Sequence, residues 1–336
     1  MKKISLVFLV TLCTVYTGLL AQTSSSKPEP KPTDAVISKF NEGAAKVNSG
    51  DFKNAISLFD ELIVLAEKIG PDGNEMKLKA QTQLPLLHYR VANALINQKK
   101  YDEAIPELEK TIELCTLYNN NQPTKEKALK FLPQLLTGIG SRKIKEKDFS
   151  SAIQNFDEAL KYDSSYSKAY LGKGKCCAEQ FREKDMLDNL NKAIELSNAL
   201  GDTTNSQKAR NYIVDFYIKQ GNASLAEVDT ENADYSLAIS SFEKAVSYDP
   251  DASDAFLMLA MICNFSSEFD KAIEYGNKAL TSEKDPTKMA AINYELGNAY
   301  FNIADYTNAC TCYNKVLTGS FAEKARIKKT KVPGCN

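Results

Sequence analysis

Phe149-Ser150-Ser151-Ala152-Ile153-Gln154-Asn155-Phe156-Asp157-Glu158-Ala159 sets an aromatic residue, an alanine, a large apolar residue and a second alanine at spacings of three, four and three. Those spacings put the four side chains on one face of a helix. Gly140, twelve residues before Ala152, lies in a second apolar run. Working outward, the phrase recurs on both sides. Before it come Phe52…Ala55…Phe59…Leu62 and Tyr101…Ala104…Leu108…Thr111. After it come a degenerate Glu183…Met186…Leu190…Ala193, then Tyr235…Ala238…Phe242…Ala245, Phe269…Ala272…Gly276…Ala279 and Tyr306…Ala309…Tyr313…Val316. Gly43, Ala92, Gly174, Ala260 and Gly297 repeat the position of Gly140; in the fifth unit the small residue is Gly221, seventeen before Ala238. Small residues at matched points of two antiparallel helices let the backbones approach, while aromatic rings fill the space beside them. One such hairpin cannot bury its apolar face, but seven stacked in series share a continuous core.

The intervals are unequal. The phrase alanines, with Met186 in the fourth unit, lie 49, 48, 34, 52, 34 and 37 residues apart. Against a period of about 34, the first two intervals carry about 14 extra residues, expected to be shared between the second helix of one unit and the first of the next. Each helix then gains roughly 10 Å. Pro85 and Pro133 occupy the same position in two lengthened units and predict a kink or a fresh helix start. In the fifth unit the insert Ala223–Asp234 is expected to project as a lengthened hairpin end.

These residues resemble the tetratricopeptide repeat family over about residues 35–318, with His88, Leu136, Tyr170, Tyr217 and Phe256 where the family's tryptophan usually stands. The resemblance implies an all-α right-handed superhelix of about seven helix-turn-helix repeats, with lengthened helices in its N-terminal half. It also implies a concave surface, lined by the first helix of each repeat, that holds a protein or peptide. The family's contact positions fall on Phe40, Tyr89, Leu171, Ile218, Leu257 and Tyr294, and on Asn93, Asn222 and Asn298. An asparagine there can bond a peptide backbone as donor and acceptor; it is equally an ordinary polar residue on a helix face. Tyr89 and Tyr294 stand where the family's carboxylate clamp needs lysine, which disfavours that ligand.

Other chemistry is sparse. Lys+Arg number 42 and Asp+Glu 43, so no global field favours nucleic acid. The run Glu323–Lys329 reads as a solvated helix face. His88 is the single histidine and is expected to be packed, which leaves neither a metal-ligand cluster nor a nucleophile–base pair and implies no cofactor. The reading is of a non-enzymatic scaffold. One alternative is a self-assembling structural component of the cell envelope. Another is a glycan-binding or enzymatic module in the lengthened N-terminal hairpins, which an acid-rich pocket near Pro85 or Pro133 would favour and an apolar one would not.

Lys2-Lys3, an apolar run from Ile4 to Ala21 and the polar Gln22–Ser26 have the layout of a secretory leader cut after Ala21. Leu19 departs from the small-residue pattern before the cut, so an uncleaved N-terminal anchor stays open. The expected organisation is a leader over 1–21, a Ser/Pro-rich spacer over 22–34, the repeats over 35–318 and a capping helix and tail over 319–336. The leader's end resembles those of exported bacterial proteins, and Asp202-Thr203-Thr204 resembles an O-glycosylation acceptor of such bacteria. A periplasmic or envelope location follows as an expectation. There, disulfides are permitted among Cys115, Cys176, Cys177, Cys263, Cys310, Cys312 and Cys335. Cys176, Cys263 and Cys310 fit inward-facing positions, and Cys335 is expected to fold back onto Cys310 or Cys312. Cys310 and Cys312, two apart on a helix, point to opposite sides and do not make a redox motif.

Overall fold

The computed structural model describes residues 31–228 and 234–335. The expected leader and most of the spacer lie outside the described residues, as does the middle of the fifth-unit insert. The chain divides into two compact units between Leu87 and His88. Among the described residues all regular structure is helical, and no helix is long and apolar enough to cross a membrane.

The first unit holds α1 (Pro32–Asn48), α2 (Phe52–Ile69), one tight turn at Pro71–Gly73 and the start of α3 (Asn74–Asn97). Proline is pre-shaped for the first helical position, and the Asp34 carboxylate accepts the Lys31 amide at 2.9 Å. The spacer expected through residue 34 therefore ends before Pro32.

The second unit continues α3 and adds α4 (Tyr101–Leu117), α5 (Gln122–Lys145), α6 (Phe149–Tyr162), α7 (Ser167–Glu179), α8 (Glu183–Ala199) and α9 (Thr203–Ala226). Beyond these lie α10 (Ser236–Tyr248), α11 (Ser253–Phe265), α12 (Phe269–Ser282), α13 (Pro286–Asn302), α14 (Tyr306–Asn314) and α15 (Ala322–Lys329). From α4 onward every helix packs on the next, and first helices of neighbouring pairs touch as well: α5 with α7, α7 with α9, α11 with α13.

The quoted phrase opens the second helix of each pair. Its alanines, Met186 included, and the residues seven later are all buried, none beyond 5% exposure. The small residues do what their spacing predicts. A Cβ added at Gly43 would lie 2.8 Å from the Phe59 ring, at Gly140 2.7 Å from Phe156, at Gly221 2.7 Å from Phe242 and at Gly297 2.6 Å from Tyr313. Such distances exclude a side chain, so each glycine is the socket for its partner's ring. Gly221 fills this role despite its altered spacing.

The lengthening is distributed unevenly. α3, α5 and α9 each have 24 residues, whereas α7 and α11 have 13. α2 and α4, with 18 and 17 residues, exceed the 14 of α6 by only a turn. First helices thus take most of the extra length, reaching about 36 Å. α3 and α5 run on through Pro85 and Pro133, so no fresh helix starts there. In the fifth unit Ala223–Ala226 continue α9, and the added turns lie at its beginning, before Tyr212. The helix starts early, with Asp202 capping it by accepting the Asn205 amide at 3.0 Å; the hairpin end expected to project over Ala223–Asp234 falls in part outside the described residues.

Candidate functional site

One face of each of α5, α7 and α9 lines a groove of about 640 Å³. α5 contributes Thr137, Ser141, Ile144 and Lys145, and α7 contributes Lys168, Leu171, Gly172 and Lys175. The early turns of α9 add Asp202, Thr204, Asn205, Lys208 and Tyr212 as the opposite wall. Thr137, Ser141 and Ile144, then Lys168, Leu171 and Lys175, then Thr204, Lys208 and Tyr212 follow at spacings of three and four, the repeat of a single helical face. The Lys175 ammonium lies 5.3 Å from the centre of the Tyr212 ring. Asp202 is engaged in capping: its carboxylate accepts the Asn205 amide at 3.0 Å and the Asn205 side chain at 2.5 Å. The backbone amide of Asn205, reinforced by its side chain and by the Lys168 and Lys208 charges, holds the Asp202 carboxyl below the usual range.

Of the residues assigned to contact positions from the sequence, the structure brings Leu171 into this groove. Phe40, in the first unit, packs against Phe59 with ring centres 5.5 Å apart. Tyr89 packs against Phe131 at 6.4 Å, and Asn93 is half-buried one turn further on. Ile218 and Leu257 are half-buried against the central core, while Asn222 is exposed. Tyr294 sits between Tyr313 at 6.2 Å and Phe321 at 5.0 Å, and the Tyr313 hydroxyl donates to Asn298 Oδ1 at 2.9 Å. Tyr294 is thus partly covered by Phe321 of the protein's own C-terminal segment, and Asn298 is engaged by α14.

Leu171 apart, none of the residues that line this groove is assigned to a contact position from the sequence, those of early α9 included. Repeat positions were counted backward from the phrase, which leads to Ile218 and Asn222. The early start of α9 instead lays Thr204, Lys208 and Tyr212 beside α7. The long interval between Met186 and Ala238, with Lys168 and Lys175 two helical turns apart, was the available signal.

A second groove, about 470 Å³, lies beside Pro133. Ile96, Tyr101, Phe131 and Leu135 make it apolar, with Arg142 its one charged lining residue. An acid-rich pocket does not occur at this place, which counts against a glycan-binding or catalytic role there. His88 is packed as expected, its Nδ1 lying 2.6 Å from Glu107 Oε2.

Cys115, Cys176, Cys177, Cys263 and Cys312 are buried free thiols. Burial pushes the Cys176 thiol up to about 12 and Cys263 to about 11, leaving both inert at neutral pH. Cys310 is bonded to Cys335 across 25 residues, and Cys312 rather than Cys310 faces the core.

Together the fold and the groove define a protein of helical-hairpin repeats. Models of the tetratricopeptide repeat match residues 86–115, 224–288 and 290–318, and the chain carries tetratricopeptide repeats there. The Hsp70-Hsp90 organizing protein of Triticum aestivum is 24% identical over 187 residues, 53% of this chain. That stretch spans 31% of the wheat protein's length. Among solved structures, the C-terminal part of a TPR repeat-containing protein from Cytophaga hutchinsonii is 18% identical. It covers 85% of this chain and 98% of its own, with a TM-score of 0.40. YrrB, described as a TPR protein with an unusual peptide-binding site, is 16% identical over 59% of this chain and 91% of its own, with a TM-score of 0.34.

Proposed function

We propose that this chain is a peptide-binding scaffold acting outside the cytoplasm, and that its contact surface is the groove along α5, α7 and α9. The carrying observation is the groove itself: three neighbouring first helices turn polar, charged and aromatic side chains toward one trough of about 640 Å³. That is within the size range of ligand sites in general. The tetratricopeptide repeats and the likeness to an organizing protein support a scaffold. Export is supported by the leader layout and by the Cys310–Cys335 bond, which an oxidising compartment preserves.

Ser141→Trp tests the site. Ser141 is exposed on the groove wall, so a bulky ring there fills the trough without entering the core. Affinity capture from envelope extract should lose its partners with this variant and keep them with Tyr294→Ala, whose ring is already partly covered. Equal recovery by wild type and Ser141→Trp would remove the groove as the contact surface.

A further inference from the structure

The groove's charge is lopsided in a chain that is close to neutral. Lys145, Lys168, Lys175 and Lys208 reach it from three different helices, against the single carboxylate of Asp202. Over the whole chain Lys+Arg and Asp+Glu balance at 42 and 43. Some lysines elsewhere on the surface are paired locally, as in Lys143–Glu146, Lys161–Glu158 and Lys192–Glu195. Among the described residues no salt bridge involves any of the four groove lysines. Asp202 is already spent on capping α9, whose first turn adds the partial positive charge of a helix N-terminus.

A second observation is independent of charge. Thr137 lines the groove at 9% exposure, and its Oγ1 is buried without a hydrogen-bond partner. Threonines inside other helices of this chain turn that hydroxyl onto the carbonyl four residues back: Thr82 onto Leu78, Thr111 onto Glu107, Thr116 onto Ile112 and Thr311 onto Thr307. An unpaired buried hydroxyl costs about 1–3 kcal/mol, and a donor left unpaired in the wall of a lysine-lined groove matches an acceptor-rich ligand.

We infer that the groove takes an acidic peptide segment, its Asp or Glu carboxylates meeting Lys168, Lys175 and Lys208 while apolar side chains rest on Leu171 and Ile144. This inference rests on the groove reading above. Single-stranded nucleic acid uses exposed aromatic platforms for base stacking; here Tyr212 is the one ring at the site, and Lys175 lies over it. A basic segment would be repelled.

The test is selection of a random twelve-residue peptide library on the whole chain, run in parallel on Ser141→Trp and on the double variant Lys168→Gln/Lys208→Gln. Both substituted lysines are exposed, so folding should be unchanged, and circular dichroism checks it. The expected result is enrichment of Asp and Glu in peptides bound by wild type. An enriched peptide should bind the double variant about tenfold more weakly, weaken as salt is raised, and fail to bind Ser141→Trp. Peptides that need an open groove but show no acidic bias would overturn the inference and leave the groove reading standing. Peptides indifferent to Ser141→Trp would overturn both.

Discussion

Gly138 and Gly140 stand two residues apart on α5 and meet opposite surroundings. A Cβ at Gly138 would find nothing within 4 Å, whereas one at Gly140 would lie 2.7 Å from the Phe156 ring. Alanine exceeds glycine in helix propensity by about 1 kcal/mol. Gly138→Ala should therefore stabilise the protein by about that amount. Gly140→Ala should destabilise it, since overpacking costs about 1–3 kcal/mol. Urea unfolding of the two variants reads the sign directly, and a shared sign would mean that the Phe156 socket yields. Glu295 gives a residue-scale prediction in pH. Only 8% exposed, it accepts the Asn264 side chain at 2.8 Å. Burial pushes its carboxyl above the ordinary value, against the pull of Asn264, Asn298 and the Lys324 and Lys328 charges. A carboxyl raised by folding contributes stability that is complete below the unfolded value and is lost as pH rises through the folded one. Ionised Glu295 therefore costs stability at pH 7. Glu295→Gln should raise stability at pH 7 more than at pH 4, the amide also offering a donor near Asn264 Oδ1, which is buried without a partner. Parallel urea titrations at the two pH values measure the difference.

Between the two helices of six pairs the chain turns through the left-handed region. Gly50, Lys99, Lys147, Phe181, Ser267 and Ala304 all have φ between 49° and 80° and stand five residues before the phrase alanine, or before Met186 in the fourth unit. Glycine alone adopts that conformation without steric cost, yet one of these six is glycine. Lys147→Gly should stabilise the hairpin of α5 and α6 by up to about 1 kcal/mol, visible as a raised urea midpoint with an unchanged slope. The same substitution within α6 would destabilise. This turn was not legible in the sequence, because five different residue types hide its one conformational demand. The hairpins were legible, because a buried helix face recurs every three and four residues and a ring needs a glycine opposite it. Helix ends carried less signal. Pro133 suggested a break, but α5 continues through it, and the extra turns of α9 precede Tyr212 rather than following Gly221. The α9 side of the groove was illegible for that reason: repeat position leads to Leu171 but not to Thr204, Lys208 or Tyr212.

At the scale of the molecule, a chain of hairpins is held by neighbours, so a perturbation at one end is felt near that end first. The C-terminal segment shows where this matters. Val332 and Cys335 join Ala290, Ala309, Tyr313 and Val316 in one buried cluster, with Phe321 against Tyr294. The bond from Cys310 to Cys335 ties that segment down across 25 residues. Closing a loop of this length removes denatured-state entropy worth about 3 kcal/mol. Spread over a globular domain, that loss would lower every region's protection together. In a repeat chain it should stay local. Cys335→Ser is thus expected to speed amide hydrogen exchange in α13, α14 and α15 by tenfold or more while leaving α5, α7 and α9 unchanged. Mass-spectrometric exchange on oxidised wild type and the variant makes the comparison. Thiol titration of the denatured protein supplies the control, since wild type should keep Cys310 and Cys335 unreactive until reduced. Uniform acceleration through α5–α9 would show that the second unit unfolds as one cooperative body, and the groove would then depend on a bond formed nearly a hundred residues away from it.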